Sequence, residues 1–167
     1  FEISVPDVEE WYPPELVPED IVAYISREKS QAVQAPADAI VITADTMVFL
    51  DGARLGKPRD EAQAREMLSL LSGRSHTVYT GVTVRRDGEV LTQHEATHVR
   101  FRPLSPAEID AYVRTGEPMD KAGSYGIQGL GALLVEGIEG DYCNVVGLPV
   151  CRLGRMLLKF GVDALAG

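Results

Sequence analysis

Apolar positions return at helical spacing early in the chain. Ile21, Ile25, Ala32 and Val33 follow Pro18, Glu19 and Asp20, and a proline with two acids suits the first turn and positive end of a helix. Lys29 rides on that helix. The β-branched run Ala39-Ile40-Val41-Ile42 predicts a buried strand ending near Asp45, and Asp51-Gly52 supplies a hairpin-type turn. Asp60 can cap a second helix carrying Ala64, Met67, Leu68 and Leu71, with Gly73 closing it in the left-handed conformation. Val78, Thr80, Val82 and Val84 alternate, Asp87-Gly88 turns the chain, and a return strand runs from Val90 toward Phe101. Ser105-Pro106-Ala107-Glu108 reads as a capping box, and Gly116 and Pro118 stop its helix. Residues 123–131 are glycine-rich and read as loop, 132–135 as a short strand, and Pro149 opens a last helix through Leu157 closed by Gly161.

Helices alternating with strands, with an antiparallel hairpin inserted, predict an α/β fold: a mixed β-sheet flanked by helices around a central cleft, in one domain spanning 1–167. Composition fits a folded, soluble domain, with 45% apolar and 25% charged residues among 167. The formal charge of −9 would repel a polyanion, which excludes nucleic-acid polymer as a partner. No apolar run approaches the roughly 18 residues that span a bilayer, so the expectation is no membrane association and a cytoplasmic location. Cys143 and Cys151 match no metal or redox spacing and read as reduced, buried thiols. His76, His94 and His98 form no zinc pattern, and no Gly-x-Ser-x-Gly elbow is present.

Candidate chemistry lies in four segments. In Thr43-Ala44-Asp45-Thr46 a carboxylate closes a buried strand, where desolvation is costly without a cationic or hydrogen-bonding partner; a turn cap is the plainer account. Gly56-Lys57-Pro58 is either a common turn or a stiffened lysine. The chain has twelve arginines but only four lysines, and Lys29, Lys57 and Lys121 fall beside the site-like segments. Three compact point charges with a divalent cation would neutralise a triphosphate in an acidic protein, although lysines are also ordinary surface residues. The stretch from Asp120 to Gly129 has small residues around Tyr125 and Gln128, the build of a loop that approaches a ligand closely, and Gln128 could pair with the imide edge of a pyrimidine; an ordinary turn has the same composition. Gly140 to Pro149 is either a third such patch or the entry loop to the last helix.

Together these segments resemble the Maf family of nucleoside triphosphate pyrophosphatases. The likeness runs in order through Asp7-Val8-Glu9-Glu10, the helix bearing Lys29, Thr43-Ala44-Asp45-Thr46, Gly56-Lys57-Pro58, Leu71-Ser72-Gly73 with His76, Thr80-Gly81-Val82, Lys121 through Gly129, and Gly140 through Pro149. The resemblance implies a Maf/ITPase-like fold and hydrolysis between the α and β phosphates with Mg²⁺ or Mn²⁺. It implies Asp45 as proton acceptor, Glu10 with Asp45 at the metal, and Lys29, Lys57 and Lys121 at the phosphates.

The Tyr125-Gly126-Ile127-Gln128-Gly129 pattern is similar to the subgroup acting on dTTP and UTP, with Thr46 and Gln128 at positions linked to base choice, and implies removal of surplus or modified pyrimidine nucleotides. The family resemblance also implies a homodimer. Members usually begin with a strand and a Ser-x-Ser-Pro-Arg-Arg motif; this sequence starts after it, so the activity is expected of a chain that has that leader. Two alternatives stay open: a pyrophosphatase for 7-methyl-GTP or another purine nucleotide, and a non-catalytic nucleotide-binding regulator of cell division.

Overall fold

The computed structural model describes residues 1–166. Helix α1 (Pro18–Ala32) has Pro18 in its first turn and Glu19 and Asp20 at its positive end. Strand β1 (Val41–Leu50) turns through Asp51 and Gly52, at φ 50° and 79°, into β2 (Ala53–Leu55), the left-handed pair a two-residue hairpin turn needs. Helix α2 (Glu61–Leu71) is capped by Asp60, whose side chain accepts from the Gln63 N–H. Strands β3 (Ser75–Arg86) and β4 (Glu89–Phe101) are joined at Asp87-Gly88. Helix α3 (Pro106–Arg114) has the complete Ser105/Glu108 capping box. Strand β5 (Val135–Glu139), α4 (Tyr142–Val146) and α5 (Val150–Lys159) follow.

The strands form one sheet in the order β2-β1-β3-β4-β5. The outer pairings are antiparallel, with Phe49 opposite Arg54 and Val99 opposite Ile138, so the expected helix-flanked α/β sheet is present with antiparallel strands. Among the described residues no helix is long and apolar enough to cross a membrane.

Four local expectations are corrected. The strand does not end at Asp45, because the buried run Met47-Val48-Phe49-Leu50 carries it on to the Asp51-Gly52 turn. The 123–131 segment is not all loop: 3₁₀ turns occupy 122–124 and 130–133, which displaces the expected strand at 132–135 to Val135–Glu139. Residues 142–146 form α4 where an entry loop was an open reading. Cys151 is exposed and Cys143 only partly buried, because α5 turns Leu153 and Met156 inward and α4 turns Asn144 inward.

Residues cluster into two compact units. The first (1–46, 80–95 and 147–167) contains α1 and α5. In it, side chains of β3 alternate: Thr83 and Arg85 bond to Ser26 and Ser30 of α1, whereas Val82 and Val84 pack with Leu153, Met156 and Phe160 of α5. The second unit (47–79 and 96–146) is built around Leu68, Leu71, Val99, Phe101, Ile109, Val113 and Tyr125.

Candidate active site

In the first unit the strand period meets the helix period. Thr43 and Asp45, two apart on β1, face Ser26 and Lys29, three apart on α1: the Thr43 hydroxyl donates to the Ser26 carbonyl at 2.6 Å, and the Lys29 ammonium donates to Asp45 Oδ1 at 2.7 Å. Asp45 is 6% exposed and Lys29 25%, so the carboxylate is held inside while its cationic partner keeps a route to water. The ammonium offsets part of the carboxylate's desolvation. The turn-cap account of Asp45 does not apply, since it stands mid-strand.

Gly81 determines how closely α1 lies on β3. A Cβ there would run into the Val22 carbonyl group, with the Ala23 nitrogen 2.6 Å away. Only glycine allows this approach of helix backbone to strand. On the opposite side of β1, Thr46 shares a 2.8 Å hydrogen bond with Thr80 and donates to the Gly147 carbonyl at 3.3 Å. Asp45 and Thr46, adjacent in sequence, thus have different neighbours.

Glu10 lies in the extended N-terminal segment. Next to it, the Trp11 ring meets Tyr24 of α1 edge to face at 6.4 Å, which brings this segment alongside the helix that carries Lys29.

The second unit holds Lys57, Lys121 and Gln128. The Gly123 N–H donates to the Gly56 carbonyl at 3.1 Å, fastening the two lysine-bearing loops together. Lys121 donates to the Asp120 carboxylate at 2.8 Å. That hydrogen bond, with the charges of Lys121 and Lys57, holds Asp120 below the usual carboxylate range. Gln128 is exposed on its loop, and Lys57 is exposed as well.

Sequence reasoning missed the supports. Thr80 falls in an alternating run and in the Thr80-Gly81-Val82 segment, neither of which gives its bond to Thr46, and Tyr112 and Glu117, which hydrogen-bond at 2.8 Å, straddle the end of α3 and belong to no motif. His76 lies in a segment that carries the family resemblance, and its buried contact is set by the fold: it shares a 2.7 Å hydrogen bond with the Tyr125 hydroxyl.

Among the described residues no group of three or more His, Cys, Asp or Glu side chains could hold a metal ion by itself. The available donors are carboxylate oxygens. A divalent cation here would need substrate oxygens beside one or two carboxylates, because the described residues build no all-protein cage.

The family described as Maf-like protein matches residues 1–160. The chain is 50% identical to a dTTP/UTP pyrophosphatase of Bacillus cereus over 164 residues, 98% of this chain and 86% of that relative. It is 51% identical to a dTTP/UTP pyrophosphatase of Symbiobacterium thermophilum over 168 residues, 100% of this chain and 87% of that relative.

Proposed function

The chain belongs to the Maf family, and from that membership we propose that it hydrolyses dTTP and UTP to the nucleoside monophosphate and pyrophosphate, removing surplus or modified pyrimidine nucleotides. The observation that carries the chemistry is the buried Asp45 carboxylate with Lys29 at 2.7 Å. Asp45 accepts a proton from water as the water oxygen bonds to the α phosphorus. The bond from that phosphorus to the α–β bridging oxygen breaks, and pyrophosphate leaves with the bridging oxygen and its electron pair.

Lys29, Lys57 and Lys121 offset charge on the phosphates, most needed on the departing pyrophosphate. A divalent cation, Mg²⁺ or Mn²⁺, held by Asp45, Glu10 and substrate oxygens, would supply Lewis-acid polarisation of the phosphoryl group. Thr46 and Gln128 take part in base choice, the amide of Gln128 offering one donor and one acceptor to the imide edge of uracil or thymine. The family resemblance supports a homodimer.

The test is pyrophosphate release with Mg²⁺ across dTTP, UTP, CTP, ATP, GTP and 7-methyl-GTP, before and after chelation by EDTA. Turnover is expected with dTTP and UTP, and to stop on chelation. Turnover of 7-methyl-GTP in their place reassigns the substrate. Saturable nucleotide binding with no pyrophosphate makes the protein a regulator.

A further inference from the structure

The loop that carries Gln128 is fastened from below by one carboxylate. Glu117 follows Gly116, whose φ of 78° turns the chain out of α3. Its Oε1 accepts from the Gly131 N–H at 2.9 Å and from the Tyr112 hydroxyl at 2.8 Å, and its Oε2 accepts from the Leu130 N–H at 2.9 Å. The same Tyr112 oxygen accepts from the Gly126 N–H at 3.2 Å. The backbone is thus tied at Gly126 on one side of Gln128 and at Leu130 and Gly131 on the other. Gln128 itself stays exposed.

A Cβ has little room at the loop's glycines. A Cβ on Gly129 would lie 2.8 Å from Glu117 Cδ, one on Gly126 would lie 2.6 Å from Lys121 Cε, and one on Gly131 would lie 2.8 Å from the Tyr112 hydroxyl. Three glycines within six residues therefore reflect the depth to which the backbone is drawn onto Glu117, Tyr112 and Lys121. Desolvation raises the Glu117 pKa, but the N–H groups of Gly131 and Leu130, the Tyr112 hydroxyl and the Lys121 charge outweigh it and hold the group below its usual range. Burial pushes the Tyr112 hydroxyl up, so it keeps its proton to donate.

We propose that Glu117, acting directly and through Tyr112, is the positioning residue of the base-reading loop, and that it fixes the backbone from which Gln128 discriminates pyrimidine rings. This rests on the reading of Gln128 given above. Glu117 touches no reacting atom; its effect falls on nucleotide selectivity.

The experiment compares this chain with Glu117→Gln and Tyr112→Phe. It reads equilibrium dissociation constants for dTTP and CTP, kcat and KM for dTTP, and amide exchange at Gly126, Leu130 and Gly131. Glu117→Gln is expected to speed exchange at Leu130 and Gly131 and to lower the dTTP-over-CTP binding ratio by about tenfold or more, with KM rising and kcat within about threefold. Tyr112→Phe removes a single oxygen and is expected to act in the same direction, chiefly at Gly126, so it decides the matter should Glu117→Gln unfold. A binding ratio within about twofold of the parent in a folded variant overturns the proposal. A parent chain that binds dTTP and CTP equally overturns the reading of Gln128 and the proposal with it, whereas a selective parent with an equally selective variant overturns the proposal alone.

Discussion

A carboxylate in the middle of a sheet strand loses most of its water, and the cost is several kcal/mol unless charge or hydrogen bonds replace it. At Asp45 a lysine one helix face away does so, while β1 presents buried apolar residues on either side of the site, Val41 before it and Met47 to Leu50 after it. A fold-stabilising role alone gives no reason to place an ion pair here, since apolar pairs of similar volume often serve stability as well or better. A base for water does need a charge held in a dry, fixed place. Asp45→Asn keeps the side chain's volume and removes the proton acceptor, and Lys29, one quarter exposed, can turn its ammonium to solvent. The variant is expected to lose at least about a hundredfold in kcat while melting as a folded protein, checked by pyrophosphate release beside a thermal melt. Turnover near the parent rate would remove Asp45 from its assigned role.

At the scale of elements, the Lys29–Asp45 contact depends on how closely α1 lies on the sheet, and Gly81 sets that distance. Its missing Cβ is replaced by the Val22 carbonyl, a backbone group that cannot swing aside. Gly81→Ala is expected to destabilise the chain by about 1–3 kcal/mol and to lower activity by lifting α1, and with it Lys29, away from Asp45. Urea unfolding with a parallel assay checks both; an unshifted midpoint would mean the helix adapts without strain. The capped and turned parts of this layer were legible in the sequence because their signals are local: Pro18, Asp51-Gly52, Asp60, Asp87-Gly88 and the Ser105/Glu108 box each act within a few residues. The extent of β1 was not, since Asp45 looks like an end and only the burial of Met47 to Leu50 shows the strand continuing. The 3₁₀ turns within 122–133 were hidden for a related reason. The turn at 130–133 is held by Glu117, and the loop before it by Tyr112 at Gly126, and no local pattern connects these residues. The candidate site was legible as residue types in order, whereas Glu117, Tyr112 and Thr80, which hold those residues in place, act across sequence separations that no spacing rule covers.

For the molecule as a whole, acidity affects solubility and stability separately. The formal charge of −9 vanishes as pH approaches the sequence pI of about 4.8, and in that same range one buried group begins to oppose folding. His76 is 3% exposed, with its ring edge to face against Phe101 and Tyr125 at 5.2 and 5.3 Å, and its Nδ1 has no hydrogen-bond partner among the described residues. Burial lowers its pKa from 6.5 to about 4. An unfolded chain takes up this proton as pH falls through 6.5, and the folded chain resists until about 4. The neutral ring's contribution is therefore intact above the unfolded value and is lost through that window, by roughly 3 kcal/mol in full. Carboxylates titrate in part of the same range, so the informative quantity is a difference between proteins. His76→Gln has no ring to protonate. The parent is expected to lose more unfolding free energy than this variant between about pH 7 and about pH 4.5, measured by urea titration at each pH. Parallel losses would show that the His76 site accepts a proton without cost to the fold. A steeper loss in the parent ties acid sensitivity to the Phe101–Tyr125 core, and hence to the residue that leads into the Gly126–Gly131 loop.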